Sequence, residues 1–349
     1  MNLADLNKVA LAMVAPGKGI LAADESSGTI KKRFDAIKVE STEESRRDYR
    51  EMLFRTTEAM TQYISGVILY DETIWQNAKD GTPLIKLIEQ AGAIPGIKVD
   101  EGTQALPGCP GELVTVGLDN LAGRLKKYYE RGARFAKWRA VIDIGAGHGT
   151  GGRKIPTMTA IHVNAHALAR YAALCQAAQI VPIVEPEVLM DGDHDIDRCY
   201  EVTQRVLNKT FQELRVQRVA LEGMVLKPNM VVPGKKNPTQ CSIEEVAEKT
   251  IRLLKACVPA AVPGIAFLSG GQSDEDATAH LDAMNRIGNL PWRLTFSYGR
   301  ALQAAPQKAW LGKAENVAAG QRAFCHRARM NSLATKGEWK PDLEAKKAA

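Results

Sequence analysis

Features that the sequence lacks limit the classes to which it can belong. No apolar run is long enough to span a membrane, and residues 1–5 carry no basic group ahead of an apolar stretch, so a secretory signal is not predicted. The six cysteines are scattered without a Cys-x-x-Cys pair, which is typical of reduced thiols and not of disulfides or zinc ligands. We therefore expect a soluble, cytoplasmic protein without a membrane partner.

The excess of positive over negative charge is also small. The 349 residues carry a formal net charge of +6, and lysines and arginines alternate with acids along most of the chain. Because no basic block of the kind that binds nucleic acid is present, we expect no nucleic-acid partner. A small positive excess that converges on one cleft instead suits a phosphorylated small molecule.

Short apolar runs alternate with helix signals along the chain. Two helical segments, residues 41–60 and 242–256, open with Ser41-x-x-Glu44 and Ser242-x-x-Glu245, and a helical tail starts at about Glu315. The eight strand-length apolar runs are residues 19–23, 66–70, 94–99, 134–138, 180–184, 224–226, 265–268 and 294–296. This alternation predicts an α/β fold, a (β/α)8 TIM barrel with additional helices at the C-terminus. A doubly wound open sheet is the alternative. We predict one barrel domain over residues 1–330 and a tail over residues 331–349.

Three short patterns resemble cofactor or metal sites and fail closer inspection. Residues 147–152 spell G-x-G-x-x-G, but the segment after them opens no apolar-periodic helix and no acid lies at the required distance, so a mobile loop is the interpretation. Residues 191–195 resemble the start of a calcium loop whose last ligand position is Val202 instead of a glutamate. His162 and His166 have zinc-ligand spacing without a general base between them. We predict no cofactor and no metal.

Lys227 is the most informative residue, because it ends the apolar run 224–226 and is followed by Pro228. A lysine held where water is scarce loses its proton more readily and becomes a nucleophile that can form a Schiff base. The alternative is a lysine that reaches out to water from a strand end. In a barrel the carboxyl ends of the strands carry the active site. Polar residues at those ends are Asp24, Glu25, Ser26, Lys98, Lys137, Arg139, Glu185 and Glu187.

The loops after the last two predicted strands are suited to phosphate. Glycines let backbone N–H groups approach an anion, and an arginine can form a bidentate fork, as Ser269-Gly270-Gly271 and Arg300 would allow. Lys98 with Arg33 offers a second cationic group, which suits a substrate with two phosphates. The alternative is that Gly270 and Gly271 are glycines only because the turn conformation requires it.

Six motifs resemble class I fructose-bisphosphate aldolase, in the order found in that family. The similarity covers residues from about 5 to 330. The motifs are Gly-Ile-Leu-Ala-Ala-Asp-Glu-Ser at 19–26, Phe-Ala-Lys-Trp-Arg at 135–139, Val-Pro-Ile-Val-Glu-Pro-Glu at 181–187, Leu-Lys-Pro-Asn-Met at 226–230, Phe-Leu-Ser-Gly-Gly-Gln at 267–272 and Leu-Thr-Phe-Ser-Tyr-Gly-Arg at 294–300.

The resemblance implies a metal-independent carbon-carbon lyase of glycolysis and gluconeogenesis. Such an enzyme reversibly cleaves fructose 1,6-bisphosphate to dihydroxyacetone phosphate and glyceraldehyde 3-phosphate. Lys227 would attack the ketose carbonyl, Glu185 would shuttle protons, and Asp24 would take the proton of the C4 hydroxyl. Lys137 would favour the neutral Lys227 amine by like-charge repulsion and stabilise developing negative charge.

The remaining family roles concern orientation and phosphate binding. Glu187 and Arg139 would orient the reacting groups. One phosphate would lie on Ser269, Gly270, Gly271 and Arg300, and the other on Ser26, Thr29, Arg33 and Lys98. The family also implies a homo-oligomer, usually a tetramer.

The chain departs from animal members of the family at its end, since it has no tyrosine after Tyr298. A tyrosine there is thought to help proton exchange on the three-carbon enamine, so another group would have to do this. The glycine-rich stretch 145–156 also differs from the animal loop. A barrel lyase acting on another sugar phosphate, such as a transaldolase-like or seven-carbon bisphosphate enzyme, and a catalytically silent barrel used as a scaffold are the alternative functions.

Overall fold

The computed structural model describes residues 2–145 and 155–345. The glycine-rich motif at residues 147–152 therefore lies outside the described residues, as does most of the 145–156 stretch. The part of the chain that the structure describes contains ten strands: β1 Gly19–Ala23, β2 Ile64–Leu69, β3 Ile94–Lys98, β4 Thr103–Ala105, β5 Leu113–Thr115, β6 Phe135–Ile142, β7 Val181–Val188, β8 Val225–Leu226, β9 Gly264–Phe267 and β10 Arg293–Tyr298.

Eight of these strands form one closed parallel barrel, in the order β1, β10, β9, β8, β7, β6, β3 and β2. Closure is made by β1 and β10, where Ile20 pairs with Ser297 and Leu21 with Tyr298. The predicted (β/α)8 barrel is confirmed, and the open doubly wound sheet is wrong because an open sheet has no such closing pair. β4 and β5 form a separate antiparallel hairpin.

The strands were located by their apolar runs, and this criterion ended three of them, β6, β7 and β10, too early. β6 continues to Ile142 and β7 to Val188, in register throughout, with Arg139 opposite Glu185. Both continue because the charged residues within them are still inside the sheet, where Glu185 and Glu187 are buried. The functional residues of these strands therefore lie within regular sheet structure, which fixes their direction.

Within residues 2–145 and 155–345, fourteen α-helices surround or extend the barrel. They are α1 Leu3–Met13, α2 Ser27–Ala36, α3 Glu43–Phe54, α4 Thr57–Gln62, α5 Asp71–Trp75, α6 Leu84–Gln90, α7 Leu121–Arg131, α8 Met158–Ala177, α9 Ile196–Val216, α10 Ile243–Cys257, α11 Asp274–Ile287, α12 Arg300–Trp310, α13 Val317–Ala334 and α14 Asp342–Ala345. Among the described residues no helix combines the length and apolar character that crossing a bilayer requires.

The predicted helix over residues 41–60 is wrong in its start and its continuity. Thr42, and not Ser41, is the N-cap of α3, and it forms a reciprocal capping box with Ser45. The segment then splits into α3 and α4. Ser242 does cap α10, since its hydroxyl accepts a hydrogen bond from the Glu245 amide at 3.2 Å.

The barrel interior is filled at the amino end of the strands. Phe135 of β6 packs across it, and a Cβ atom added to Gly96 would lie 2.3 Å from the Phe135 ring, so glycine at this position makes room for the aromatic side chain. Leu6 and Met13 of α1 belong to the same buried cluster and cover this end. The polar residues are consequently left at the carboxyl end of the strands, where barrel enzymes carry their sites.

The C-terminal helices pack on the outside of the barrel. α13 continues past the predicted domain division at residue 330, so that division stays a prediction. The described end of the chain is held by Glu344, which accepts hydrogen bonds from Arg327 at 2.5 Å and from the Trp339 ring at 3.0 Å.

Candidate active site

Four side chains from four different strands meet at the carboxyl end of the barrel. Asp24 follows β1, Lys137 lies within β6, Glu185 lies within β7, and Lys227 follows β8. The backbone amide of Lys227 donates to the Val184 carbonyl at 2.8 Å, which continues the sheet pairing for one more residue. These side chains are therefore held by sheet geometry and not by loops.

Glu185 lies between the two lysine amines. Its Oε1 is 3.3 Å from Lys227 Nζ and its Oε2 is 3.4 Å from Lys137 Nζ. Lys137 Nζ also lies 2.7 Å from Asp24 Oδ2, so the four groups form one chain of alternating charge. The side chains of Lys227, Glu185 and Lys137 are 5, 4 and 6% exposed, and the bulk solvent is largely excluded.

The expected repulsion of Lys227 by Lys137 stays a prediction. The sequence argument placed the two amines next to each other, whereas the structure shows a carboxylate that contacts both. Lys137 is consequently bound to two acids. The contact of Glu185 with both amines could not be derived from the spacing of residues along the chain.

The buried charges shift one another's protonation. Burial alone would raise the pKa of Asp24, but Lys137, Lys227 and Lys98 outweigh it and hold this pKa well below its ordinary value. Burial alone would lower the pKa of Lys137, but Asp24, Glu185 and Asp100 outweigh it and raise this pKa well above its ordinary value. Asp24 is thus a carboxylate and Lys137 an ammonium group at neutral pH.

A second ion pair lies beside this cluster. Arg139 of β6 donates from Nε to Glu187 Oε2 on the adjacent strand. Burial alone would lower the pKa of Arg139, but the charge of Glu187 outweighs it and raises the pKa above its ordinary value. Lys98 ends β3, and its Nζ is 3.4 Å from Asp100 Oδ1 and 5.9 Å from the centre of the Tyr70 ring.

The predicted phosphate loop after β9 has the backbone conformation that requires glycine. Gly270 and Gly271 have φ values of +61° and +90°, a region that other residues rarely adopt. A Cβ atom on Gly271 would lie 2.9 Å from Arg300 Nη2, so Arg300 at the start of α12 lies directly against this loop. Ser269 is buried, and its carbonyl accepts from the Gln272 amide at 3.0 Å.

The other predicted phosphate residues belong to α2 and to the end of β3. Arg33 of α2 forms an ion pair with Glu25, and Ser26 Oγ lies 3.1 Å from Thr29 Oγ1 at the start of the same helix. Lys98 lies instead with Asp100 after β3. Each of these cations has its own acidic partner, and the grouping of Lys98 with Arg33 around one phosphate stays a prediction.

Sequence reasoning missed several buried residues that position the site. Glu25 accepts from Gln303 Nε2 at 2.8 Å as well as from Arg33, and its carbonyl accepts from the fully buried Arg50 at 2.8 Å. Asp100 accepts from the Arg139 amide at 3.4 Å. Glu25 was among the polar residues predicted at the end of the first strand, but no role was predicted for it. Arg50 and Gln303 lie in helices and give no signal along the chain.

The two other cofactor-like patterns, residues 191–195 and the His162–His166 pair, lie within the described residues and take part in structural contacts. Asp195 caps α9, accepting from the Arg198 amide at 2.7 Å. His162 and His166 of α8 lie on the outside of the barrel, with Nδ1 atoms 3.4 and 3.1 Å from the carboxylate of Glu213. All six cysteines are free thiols.

The closed parallel barrel, with a buried lysine and two carboxylates at its carboxyl end, defines a (β/α)8 barrel enzyme. A family model described as "Fructose-bisphosphate aldolase class-I" matches residues 5–349. The chain belongs to this family of glycolytic lyases.

Individual relatives agree with this family. The chain is 57% identical over 341 residues to a probable fructose-bisphosphate aldolase class 1 of Xanthomonas campestris pv. campestris, covering 97% of this chain and 100% of the relative. It is 54% identical over 330 residues to a cytosolic fructose-bisphosphate aldolase of Arabidopsis thaliana, covering 94 and 82% of the two chains. A Plasmodium falciparum fructose-bisphosphate aldolase, solved with TRAP and a small-molecule inhibitor, superimposes with a TM-score of 0.93 at 49% identity, covering 97% of this chain and 96% of that one.

Proposed function

We propose that this chain reversibly cleaves fructose 1,6-bisphosphate to dihydroxyacetone phosphate and glyceraldehyde 3-phosphate, through an imine on Lys227. Family membership and the names of the relatives support the substrate. The observation that carries the residue assignment is the buried Lys227 amine 3.3 Å from the Glu185 carboxylate. A nucleophile with a proton acceptor in hydrogen-bonding reach is what carbonyl attack requires.

Imine formation uses Lys227 and Glu185. Glu185 takes a proton from Lys227, the freed amine attacks C2 of the ketose, and the carbonyl π electrons move to oxygen. That oxygen then receives a proton from the newly bonded nitrogen, which gives a neutral carbinolamine and restores the nitrogen lone pair. Glu185 then protonates the C2 hydroxyl, water leaves, and the nitrogen lone pair forms the C=N bond of a protonated imine. Glu185 can serve because it contacts both lysine amines, so protons can pass along one connected group.

Carbon-carbon cleavage uses Asp24. As a carboxylate held by Lys137, it accepts the proton of the C4 hydroxyl, the C4 oxygen becomes the aldehyde, and the C3–C4 electron pair moves into the imine to give an enamine. A cationic imine accepts this pair far better than a ketone does. Lys137, 2.7 Å from Asp24, would stabilise the negative charge that develops on oxygen.

The phosphates would bind at opposite sides of this centre. Gly270, Gly271 and Arg300, with Ser269, supply the glycine loop and fork for one phosphate. Ser26, Thr29, Arg33 and Lys98 would receive the other, which requires Arg33 to share its guanidinium with Glu25. Arg139 and Glu187, paired with each other, would orient the neighbouring groups.

Trapping of the imine tests the proposal. Borohydride added with dihydroxyacetone phosphate should leave a reduced three-carbon adduct, and peptide mass spectrometry should place it on Lys227. A Lys227→Ala variant should fold, lack the adduct and lose most turnover. Lys236→Ala, which changes another lysine of the same segment, should behave as the wild type. An unmodified Lys227 peptide in the wild type would refute the assignment.

We further propose a cytoplasmic homotetramer. The cytoplasmic location is supported by relatives named cytosolic or cytoplasmic in Arabidopsis thaliana and Pisum sativum and by the free thiols. The tetramer rests on the family resemblance alone. Sedimentation velocity at several protein concentrations tests it, and a single monomeric species throughout would reject it.

A further inference from the structure

Two cationic side chains lie against the same glycine of the loop after β9. A Cβ atom added to Gly271 would lie 2.4 Å from Lys235 Nζ and 2.9 Å from Arg300 Nη2. The two nitrogens are therefore no further apart than the sum of these distances. Lys235 was not among the residues predicted from the sequence, because it lies in an irregular segment after β8 where no pattern marks it.

Backbone contacts fix Lys235 to the phosphate loop. Its amide donates to the Met190 carbonyl at 2.8 Å. A Cβ atom on Gly270 would lie 2.9 Å from Met190 Sδ, so Met190 contacts both segments. The turn before Lys235 also packs against the segment that contains Met190, since a Cβ atom on Gly234 would lie 2.1 Å from the Gly192 carbonyl oxygen. Lys235 thus belongs to one packed unit with the glycine loop.

The charges at this place are incompletely compensated. Lys235 Nζ lies 2.9 Å from Asp191 Oδ1, but Asp191 is 65% exposed, and an exposed pair of this kind is worth at most about 1 kcal/mol. Within the described ranges 2–145 and 155–345, Arg300 forms no ion pair. Two cations at such short range repel each other unless an anion lies between them.

We propose that Lys235 is a further phosphate-binding residue, which joins Ser269, Gly270 and Arg300 in holding one phosphate of the substrate. This proposal rests on the proposed function and deepens it. The ammonium group would exchange the exposed Asp191 carboxylate for a phosphate oxygen. Lys235 and Arg300 would then bind the phosphate from two sides, next to Gly271. The phosphate would also lie at the N-terminal end of α12, which favours an anion.

The test compares Lys235→Met with Lys236→Met. Lys236 is the adjacent exposed lysine, whose amide donates to the Gly192 carbonyl at 3.0 Å, so the control removes the same charge from the same turn. We expect Lys235→Met to raise KM for fructose 1,6-bisphosphate and the Kd of inorganic phosphate by roughly tenfold, the loss of one charge-assisted hydrogen bond. Turnover at saturation should change little, Lys235→Arg should restore most of the affinity, and Lys236→Met should match the wild type.

The outcomes separate this proposal from the proposed reaction. If the wild type forms the borohydride adduct while Lys235→Met binds substrate and phosphate as tightly as the wild type, the role of Lys235 is overturned and the aldolase reaction stands. Equal weakening in Lys235→Met and Lys236→Met also overturns it, because general charge would then explain the effect. If no adduct forms but Lys235→Met alone weakens phosphate binding, Lys235 remains a phosphate residue and the imine reaction is rejected.

Discussion

Replacing Lys137 with methionine tests the central cluster most directly. Methionine keeps a similar apolar stem and removes the charge that lies 2.7 Å from Asp24 and 3.4 Å from Glu185. Losing one partner of a buried ion pair typically costs about 3–5 kcal/mol, because the remaining charge is left uncompensated. Lys227 still faces Glu185 in the variant, so we expect the free energy of unfolding at neutral pH to fall by about 3 kcal/mol, the lower end of that range.

The same change alters the pH dependence. Asp24 has a folded-state pKa below its ordinary value of 3.8, so its stabilising contribution is present above that pH and is lost as pH falls below it. Without Lys137 the pKa of Asp24 rises, and the loss begins at higher pH. The pH below which kcat/KM declines should rise for the same reason. Turnover should drop by roughly 10²-fold or more, as when a single preorganised charge or donor is removed.

Urea titrations at neutral pH and near pH 5, together with the pH profile of kcat/KM, measure these effects. Lys86→Met is the control, because Lys86 is 56% exposed and pairs with Glu89 at 2.6 Å on the surface. Its loss should cost less than about 1 kcal/mol. If Lys137→Met resembled Lys86→Met in unfolding free energy and in its acid limb, the buried network would not do what the geometry indicates.

Two further predictions concern the effect of a chelator on activity and the effect of His280 on the pH dependence of stability. A chelator should leave kcat/KM for fructose 1,6-bisphosphate unchanged, because the imine on Lys227 accepts the electron pair; activity lost in chelator and restored by a divalent cation would contradict this. Burial lowers the pKa of His280, whose Nδ1 lies 2.6 Å from Gln272 Oε1, from 6.5 to about 4. As pH falls, the unfolded chain therefore protonates this histidine at a higher pH than the folded chain does. The free energy of unfolding should fall as pH decreases from 6.5 to about 4, by roughly 3 kcal/mol at most. Urea titrations should show a smaller fall in His280→Gln, and an equal fall would remove His280 as the cause.

The barrel could be predicted because its strands are buried on both faces. β1 Gly19–Ala23 has no polar residue and was located without error. Charged residues hid the ends of β6 and β7, where Arg139 and Glu185 face each other inside the sheet. The β4 and β5 hairpin was missed because its strands have three residues each and are mostly exposed, so they lack a hydrophobic pattern.

The members of the candidate site could be named more easily than their pairing. Strand ends and family motifs pointed to Asp24, Lys137, Glu185 and Lys227. The position of Glu185 between the two amines depends on the three-dimensional twist of the sheet, which residue spacing does not encode. Lys235 could not be found in this way, since only the folded contact between two loops brings it to Gly271.

The pairing of β1 with β10 has a consequence for synthesis. Leu21 is translated near the beginning of the chain, and its partner Tyr298 near the end. Until Tyr298 has left the ribosome, the growing chain holds an incomplete sheet whose two edges present free backbone N–H and C=O groups. An incomplete sheet of this kind can pair with neighbouring chains, and any fragment that stops before β10 keeps its unpaired edges.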